Sequence, residues 1–313
     1  MGKFKIILLM TIMSALFFSC GESKDKTGDV KPVIAVSILP QKYFLERISG
    51  GRISVLVLAG EGQNPHSYDP TPKQMASLST AAAWVLSGAD FEISLKPKIA
   101  AQYASLIIKD GTAGVLFRHM EEHKHEGENR GDVHKESHND DKHIERAGIN
   151  IDRHTWLGPE PVKIMAAHMR DLLVEIDPSG KDFYESSYKA LLKDVDSVFD
   201  NLKKTLKPLS GKTVLVFHPS FGYFLDEFGI KQEAVETGGK EPNAKALSAL
   251  IETAKADKTP AIFVQSQFPV NAAKTVADAV GAEVVMLDPL SPDWLENIKK
   301  MGAALESALV KKK

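Results

Sequence analysis

One cysteine, Cys20, in 313 residues leaves no partner for a disulfide within the chain. An excess of charge is also missing, since a net charge of −2 gives no electrostatic reason to expect nucleic acid as a partner. The apolar run from Ile6 to Phe18 is too short to be a permanent transmembrane helix, which needs about 20 residues. The chain has no His-Glu-x-x-His, the compact pair that a helix-borne zinc hydrolase shows. What remains is ordinary for a folded protein: 43% apolar and 26% charged residues, in a length that accommodates two cores rather than one.

Lys3 and Lys5 precede the run from Ile6 to Phe18, and Ser19-Cys20 closes it with a small residue, the pattern of an export signal. The position of Cys20 resembles the lipidated first residue of a mature bacterial lipoprotein, although Phe17 stands where leucine is usual. Residues 1–20 are therefore expected to be a lipoprotein signal peptide and 21–31 a polar, flexible tether to the folded part.

Between Pro178 and Pro208 lies an amphipathic stretch, with Phe183, Tyr184, Tyr188, Leu191, Leu192, Val195, Val198, Phe199, Leu202 and Leu206 on one helical stripe. The spacing predicts one helix from Ser179 to Leu206, roughly 40 Å long, enough to run along two lobes and join them. On both sides short β-branched runs alternate with helical segments. Before it come strands at Val33–Ser37, Ile53–Ala59 and Trp84–Ser87, with helices at Pro72–Ala82 and Phe91–Gln102. After it come strands at Thr213–Phe217, Gln232–Glu236, Ala261–Val264 and Glu283–Leu287. Helices Phe221–Phe228, Asn243–Lys255, Asn271–Val280 and Trp294–Val310 alternate with them. This predicts an α/β protein of two lobes, residues 32–178 and 208–313, joined by a helix at 179–207. Each lobe should carry a mainly parallel sheet flanked by helices, with the ligand site in the cleft between them, beyond the carboxyl ends of the strands.

One segment breaks the alternation. From Arg118 to Arg146 apolar residues nearly vanish, while His119, His123, His125, His134, His138 and His143 alternate with aspartate and glutamate. Such a stretch cannot bury a core and is expected to be a disordered surface loop. Its imidazoles and carboxylates suit weak collection of Zn²⁺ or similar ions.

Four histidines lie outside that loop. His168 sits between Met165 and Leu172 in a helical pattern and reads as structural. His66, His154 and His218 each fall on a connection at the expected cleft side: after the strand ending near Ala59, after the acidic loop, and at the end of strand Thr213–Phe217. Singly, each would serve as a hydrogen-bonded structural histidine. Jointly, with a histidine-rich loop leading into one of them, they read as a metal site.

Four stretches sharpen this reading: Asn64-Pro65-His66-Ser67-Tyr68-Asp69-Pro70-Thr71-Pro72, Asp152-Arg153-His154-Thr155-Trp156-Leu157, Val216-Phe217-His218-Pro219-Ser220-Phe221-Gly222-Tyr223 and Met286-Leu287-Asp288-Pro289-Leu290. Together and in this order they resemble the zinc and manganese solute-binding proteins of bacterial metal-uptake ABC transporters, over nearly the whole chain after the signal. The resemblance implies two α/β lobes joined by a long rigid helix and an interlobe metal held by His66, His154 and His218. Asp288 corresponds to a carboxylate that ligates in some members and stays back in others. Manganese-binding relatives generally place glutamate where His218 stands, so the imidazole implies zinc, with manganese or iron as the alternative within the family.

Some zinc relatives take a ligand from an acidic residue beside the first histidine; here Pro65 holds that place. A second departure is Gln265-Ser266-Gln267-Phe268, where relatives often have proline before the second glutamine. The implied protein is a monomeric, exported, lipid-anchored zinc receptor that serves a membrane permease on the periplasmic or outer face, and not an enzyme. The competing class is a zinc-dependent hydrolase, because three histidines and an open fourth position also describe a catalytic zinc.

Overall fold

The computed structural model describes residues 31–120, 151–236, 243–256, 259–268 and 271–309. The expected lipoprotein signal with Cys20, the expected tether up to Val30, and His123, His125, His134, His138 and His143 lie outside them. Two four-stranded sheets organise the described chain. The first holds β1 (Val33–Ile38), β2 (Ser54–Ala59), β3 (Ala83–Leu86) and β4 (Ile107–Asp110) in the order β2-β1-β3-β4. The second holds β5 (Thr213–Val216), β6 (Lys231–Ala234), β7 (Ala261–Gln265) and β8 (Glu283–Leu287) in the order β6-β5-β7-β8. Every described pairing within the two sheets is parallel. Parallel sheets need both faces covered, which is why the central strands read as near-continuous runs such as Val-Ile-Ala-Val-Ser-Ile and Ala-Ile-Phe-Val-Gln, buried almost throughout.

Helices supply that cover: α1 (Leu39–Ser49), α2 (Pro72–Leu78), α3 (Asp90–Gln102) and α4 (Pro159–Ile176) in the first lobe. The second lobe has α6 (Gly222–Asp226), α7 (Ala244–Ala256), α8 (Asn271–Val280) and α9 (Trp294–Leu309). Helix α5 (Lys181–Thr205) runs between them. Two elements carry no expectation from the sequence. Helix α1 is the crossover that a parallel β1–β2 pair requires; its signs are Pro40 in the first turn, Gly50 at the C-cap with φ 59°, and inward Phe44, Leu45 and Ile48. Strand β4 ends in Lys109-Asp110 at the sheet edge, where a polar end is tolerated.

Helix α2 starts where expected, with Pro72 in its first turn and Thr71 Oγ1 accepting from the Gln74 amide at 3.3 Å. It stops at Leu78, short of Ala82. Ser77, Ser79 and Thr80 turn their hydroxyls back onto the carbonyls of Lys73, Ala76 and Ser77, competing with continuation of the helix.

Helix α5 packs against α1, α4 and α9, so it touches elements of both lobes. The seam is aromatic: Phe44 of α1 meets Trp294 of α9 at 5.1 Å, Trp294 meets Phe199 of α5 at 6.4 Å, and Phe199 meets Phe224 and Phe228, each at 6.1 Å. Two tryptophans stitch the same seam with hydrogen bonds in opposite directions. Trp156 Nε1 donates to the Pro289 carbonyl at 2.8 Å, and Trp294 Nε1 donates to the Trp156 carbonyl at 2.7 Å. A single buried cluster consequently runs from Ile34 to Ala308 through both sheets. No helix among the described residues is long and apolar enough to cross a membrane.

Candidate metal centre

The carboxyl ends of the strands bring the functional side chains together. His66 lies on the connection after β2, in a turn where Asn64 Oδ1 accepts from the His66 amide at 2.9 Å. His218 follows β5, and its backbone is clamped by Gln265 at the end of β7: the amide donates to Oε1 at 3.2 Å, and the carbonyl accepts from Nε2 at 2.5 Å. His154 opens the short turn Thr155–Leu157 that leads into α4. His154 and His218 are buried, whereas the His66 side chain is 32% exposed and forms the mouth of the site.

The three Nε2 atoms converge. His66 Nε2 is 2.9 Å from His218 Nε2, which is 3.3 Å from His154 Nε2, and the ligand atoms of all three lie within 4.8 Å of one another. The opposite ring nitrogens each face a carboxylate: His66 Nδ1 with Asp90 at 2.5 Å, His154 Nδ1 with Asp152 at 2.8 Å, His218 Nδ1 with Glu236 at 2.7 Å. An ionised carboxylate only accepts, so each Nδ1 donates to its carboxylate, and a ring in its neutral form then turns the Nε2 lone pair inward. Three lone pairs at these separations repel unless a cation lies among them. The donor set therefore fits a divalent ion, and three imidazole nitrogens suit Zn²⁺.

The electrostatics agree. Burial pushes His218 down to about 4, with the neighbouring imidazoles lowering it further and Glu236 opposing, so this ring is neutral and ready to ligate. Burial tends to raise Asp90 and Asp152, but the histidine on each, together with Arg153 beside Asp90 and Arg118 beside Asp152, holds both below the usual carboxylate range. Each stays ionised and keeps its imidazole oriented. Phe268 stacks on His218 at 4.7 Å and 23°, while Pro65, Trp156, Pro289 and Leu290 are among the residues that line the surrounding cavity, so part of its wall is apolar.

Asp288 is not brought into this cluster. Its Oδ1 accepts from Gln267 Nε2 at 2.9 Å and from the Leu290 amide at 3.0 Å, which hold the carboxylate in the wall of the second lobe. Among the described residues the candidate metal-ligating group consists of the three histidines alone. His168 stands apart on α4 and bonds the Ala113 carbonyl at 2.8 Å. His119 lies at the root of the acidic insertion, bridged antiparallel to Ile151.

Nothing in the sequence singles out Asp90 and Glu236, which stand 24 and 18 residues from the histidines they orient. Asp152 carried a signal, two positions before His154 in a local turn.

The model of the ZnuA family, described as zinc-uptake complex component A, periplasmic, matches residues 34–308. Zinc-binding lipoprotein AdcA of Streptococcus pneumoniae (strain ATCC BAA-255 / R6) is 27% identical over 300 residues, covering 94% of this chain and 57% of its own length. High-affinity zinc uptake system protein ZnuA of Yersinia pestis is 26% identical over 262 residues, 82% of each chain. A crystal structure of ZnuA superposes with a TM-score of 0.77 at 33% identity, over 89% of this chain and 99% of that one. The chain thus spans little more than half the length of the AdcA relative.

Proposed function

The chain belongs to the ZnuA family of periplasmic zinc-uptake components, and from that membership we propose that it is a high-affinity extracytoplasmic receptor that binds Zn²⁺ and delivers it to the permease of an ABC transporter. The ion is cargo, held by Nε2 of His66, His154 and His218. The convergence of the three Nε2 atoms, each ring fixed by a carboxylate on its far side, carries this reading. Asp288 is assigned to the wall of the site, with a water as the fourth zinc ligand.

A receptor is favoured over a hydrolase because Asp90, Asp152 and Glu236, the carboxylates at the centre, are engaged on imidazoles and not placed as a general base. Zinc is favoured over manganese or iron by the all-nitrogen donor set. Residues 32–178 and 208–313 serve as the two binding lobes and 179–207 as the rigid connection. Cys20 is proposed as the lipidated residue after cleavage of 1–20, with 21–31 as the tether, so that a monomeric receptor stays near the membrane. His119 and the histidines of the 121–150 segment are proposed as weak collectors that raise the local zinc concentration.

Competition among Zn²⁺, Mn²⁺ and Fe²⁺ for the purified, metal-stripped full chain tests the central claim. One tightly held Zn²⁺ per chain is expected; preference for Mn²⁺ would overturn it.

A further inference from the structure

We propose that Arg118 is a positioning residue for the metal centre, orienting His154 through Asp152 and tying that orientation to the apposition of the two lobes through Asp226. The inference rests on the zinc-site reading above. The Arg118 Nη1–H donates to Asp152 Oδ2 at 2.7 Å, while Asp152 Oδ1 accepts from both the amide and Nδ1 of His154, at 3.0 and 2.8 Å. Asp152 is fully buried, so neither oxygen can find water in place of these partners. The same guanidinium donates from Nε to Asp226 Oδ2 at 3.0 Å, in the second lobe.

Backbone groups repeat the link. The Asp152 amide donates to the Arg118 carbonyl at 2.9 Å, the Arg118 amide donates to Tyr223 Oη at 3.1 Å, and Tyr223 Oη donates to the Asp152 carbonyl at 3.1 Å. The path exists because position 222 has no side chain: a Cβ there would lie 1.7 Å from Arg118 Nη1.

A planar fork with five donors can serve two carboxylates in different lobes at once, which a point charge cannot do with the same directionality. Drawing the lobes apart would withdraw Asp226 and Tyr223 from Arg118 together, and with them the support that holds Asp152 against His154. Retention of the ion is thereby coupled to closure, by a residue that touches no metal. The arrangement has a parallel in the first lobe, where Arg153 Nε donates to Asp90 Oδ1 at 2.8 Å behind His66. There both arginine and carboxylate belong to one lobe. Arg118 is distinguished by its reach across the cleft.

The test uses the full chain with R118Q, R118K, D226N and H154A, each stripped of metal and titrated with Zn²⁺ against a competing chelator and with Co²⁺. R118Q is expected to weaken Zn²⁺ binding about 10–100-fold, the usual cost of losing an outer partner of a metal-bound histidine, and to alter the visible ligand-field bands of Co²⁺. R118K should recover part of the affinity, and D226N should speed Zn²⁺ release. Parental affinity and parental Co²⁺ bands in R118Q would overturn the proposal, as would weaker binding with unchanged bands, which would mark a purely structural loss. Should R118Q not fold, R118K and D226N decide alone, and parental affinity and release in both overturns it. Zn²⁺ binding by H154A equal to that of the parent would instead remove the site reading itself.

Discussion

Each imidazole at the centre has one nitrogen committed to a carboxylate and one to the cavity, so its loss cannot be made good by rotating a neighbour. His66→Ala, His154→Ala and His218→Ala are each expected to weaken zinc binding about tenfold or more in chelator competition, while His168→Ala binds like the parent. His218 also sets a pH response in the metal-free protein. Its folded value near 4 lies below its ordinary 6.5, so between these limits the unfolded chain holds a proton that the folded one refuses. Stability is then intact above pH 6.5 and falls as the pH drops toward 4. This group alone accounts for about 2 kcal/mol between pH 7 and pH 5, measurable by urea denaturation of zinc-free protein, with a shallower dependence in His218→Gln. The histidines were legible in the sequence because each sits in a short motif on a connection after a strand or beside a loop. Their carboxylate partners were not. Asp90 reaches His66 only after β3 and the start of α3 are folded, and Glu236 reaches His218 only through the pairing of β5 with β6.

Helix α5 shows the opposite balance, since its 25 residues follow the apolar spacing closely: it begins at Lys181, after a tight turn at Pro178–Gly180, and of the expected stripe Phe183 alone is exposed. What could not be read is how tightly it approaches α9. A Cβ added at Gly302 would lie 2.2 Å from Cδ2 and 3.1 Å from Cδ1 of Leu202. Gly302→Ala gains roughly 1 kcal/mol of helix propensity, but the overlap within a packed seam typically costs about 1–3 kcal/mol, so a lower melting temperature is expected. The acidic insertion supports a prediction from its ends. The bridge between His119 and Ile151 and the bond from the Asp152 amide to the Arg118 carbonyl bring both margins together. Replacing 121–150 by a short turn is therefore expected to preserve one tight zinc per chain and remove additional weak ones, as isothermal titration would register. Helix α1 and strand β4 are hard to read in the sequence for unlike reasons: α1 is brief and follows β1 without a break, and β4 is a polar-ended edge strand.

At the scale of the molecule, zinc bound by residues of both lobes should stabilise the folded chain as a whole. Free zinc at 100 times its dissociation constant adds about 2.7 kcal/mol, so calorimetry should show a single transition that rises with zinc and returns when a chelator is added. A two-lobed α/β layout was legible from the alternation on either side of α5. The extent of the joint was not, because the aromatic contacts across it link residues as distant as Phe44 and Trp294. That seam has a consequence for how the chain can be divided. A fragment ending before α9 would take Trp294 away from Phe44 and Phe199, and a fragment beginning at β5 would take Phe199 away from Trp294, Phe224 and Phe228. Neither half owns a complete interior. Gene fragments encoding the lobes separately are expected to yield sticky, poorly soluble products, and mixing the two during refolding, rather than afterwards, should be what recovers a soluble, zinc-binding particle.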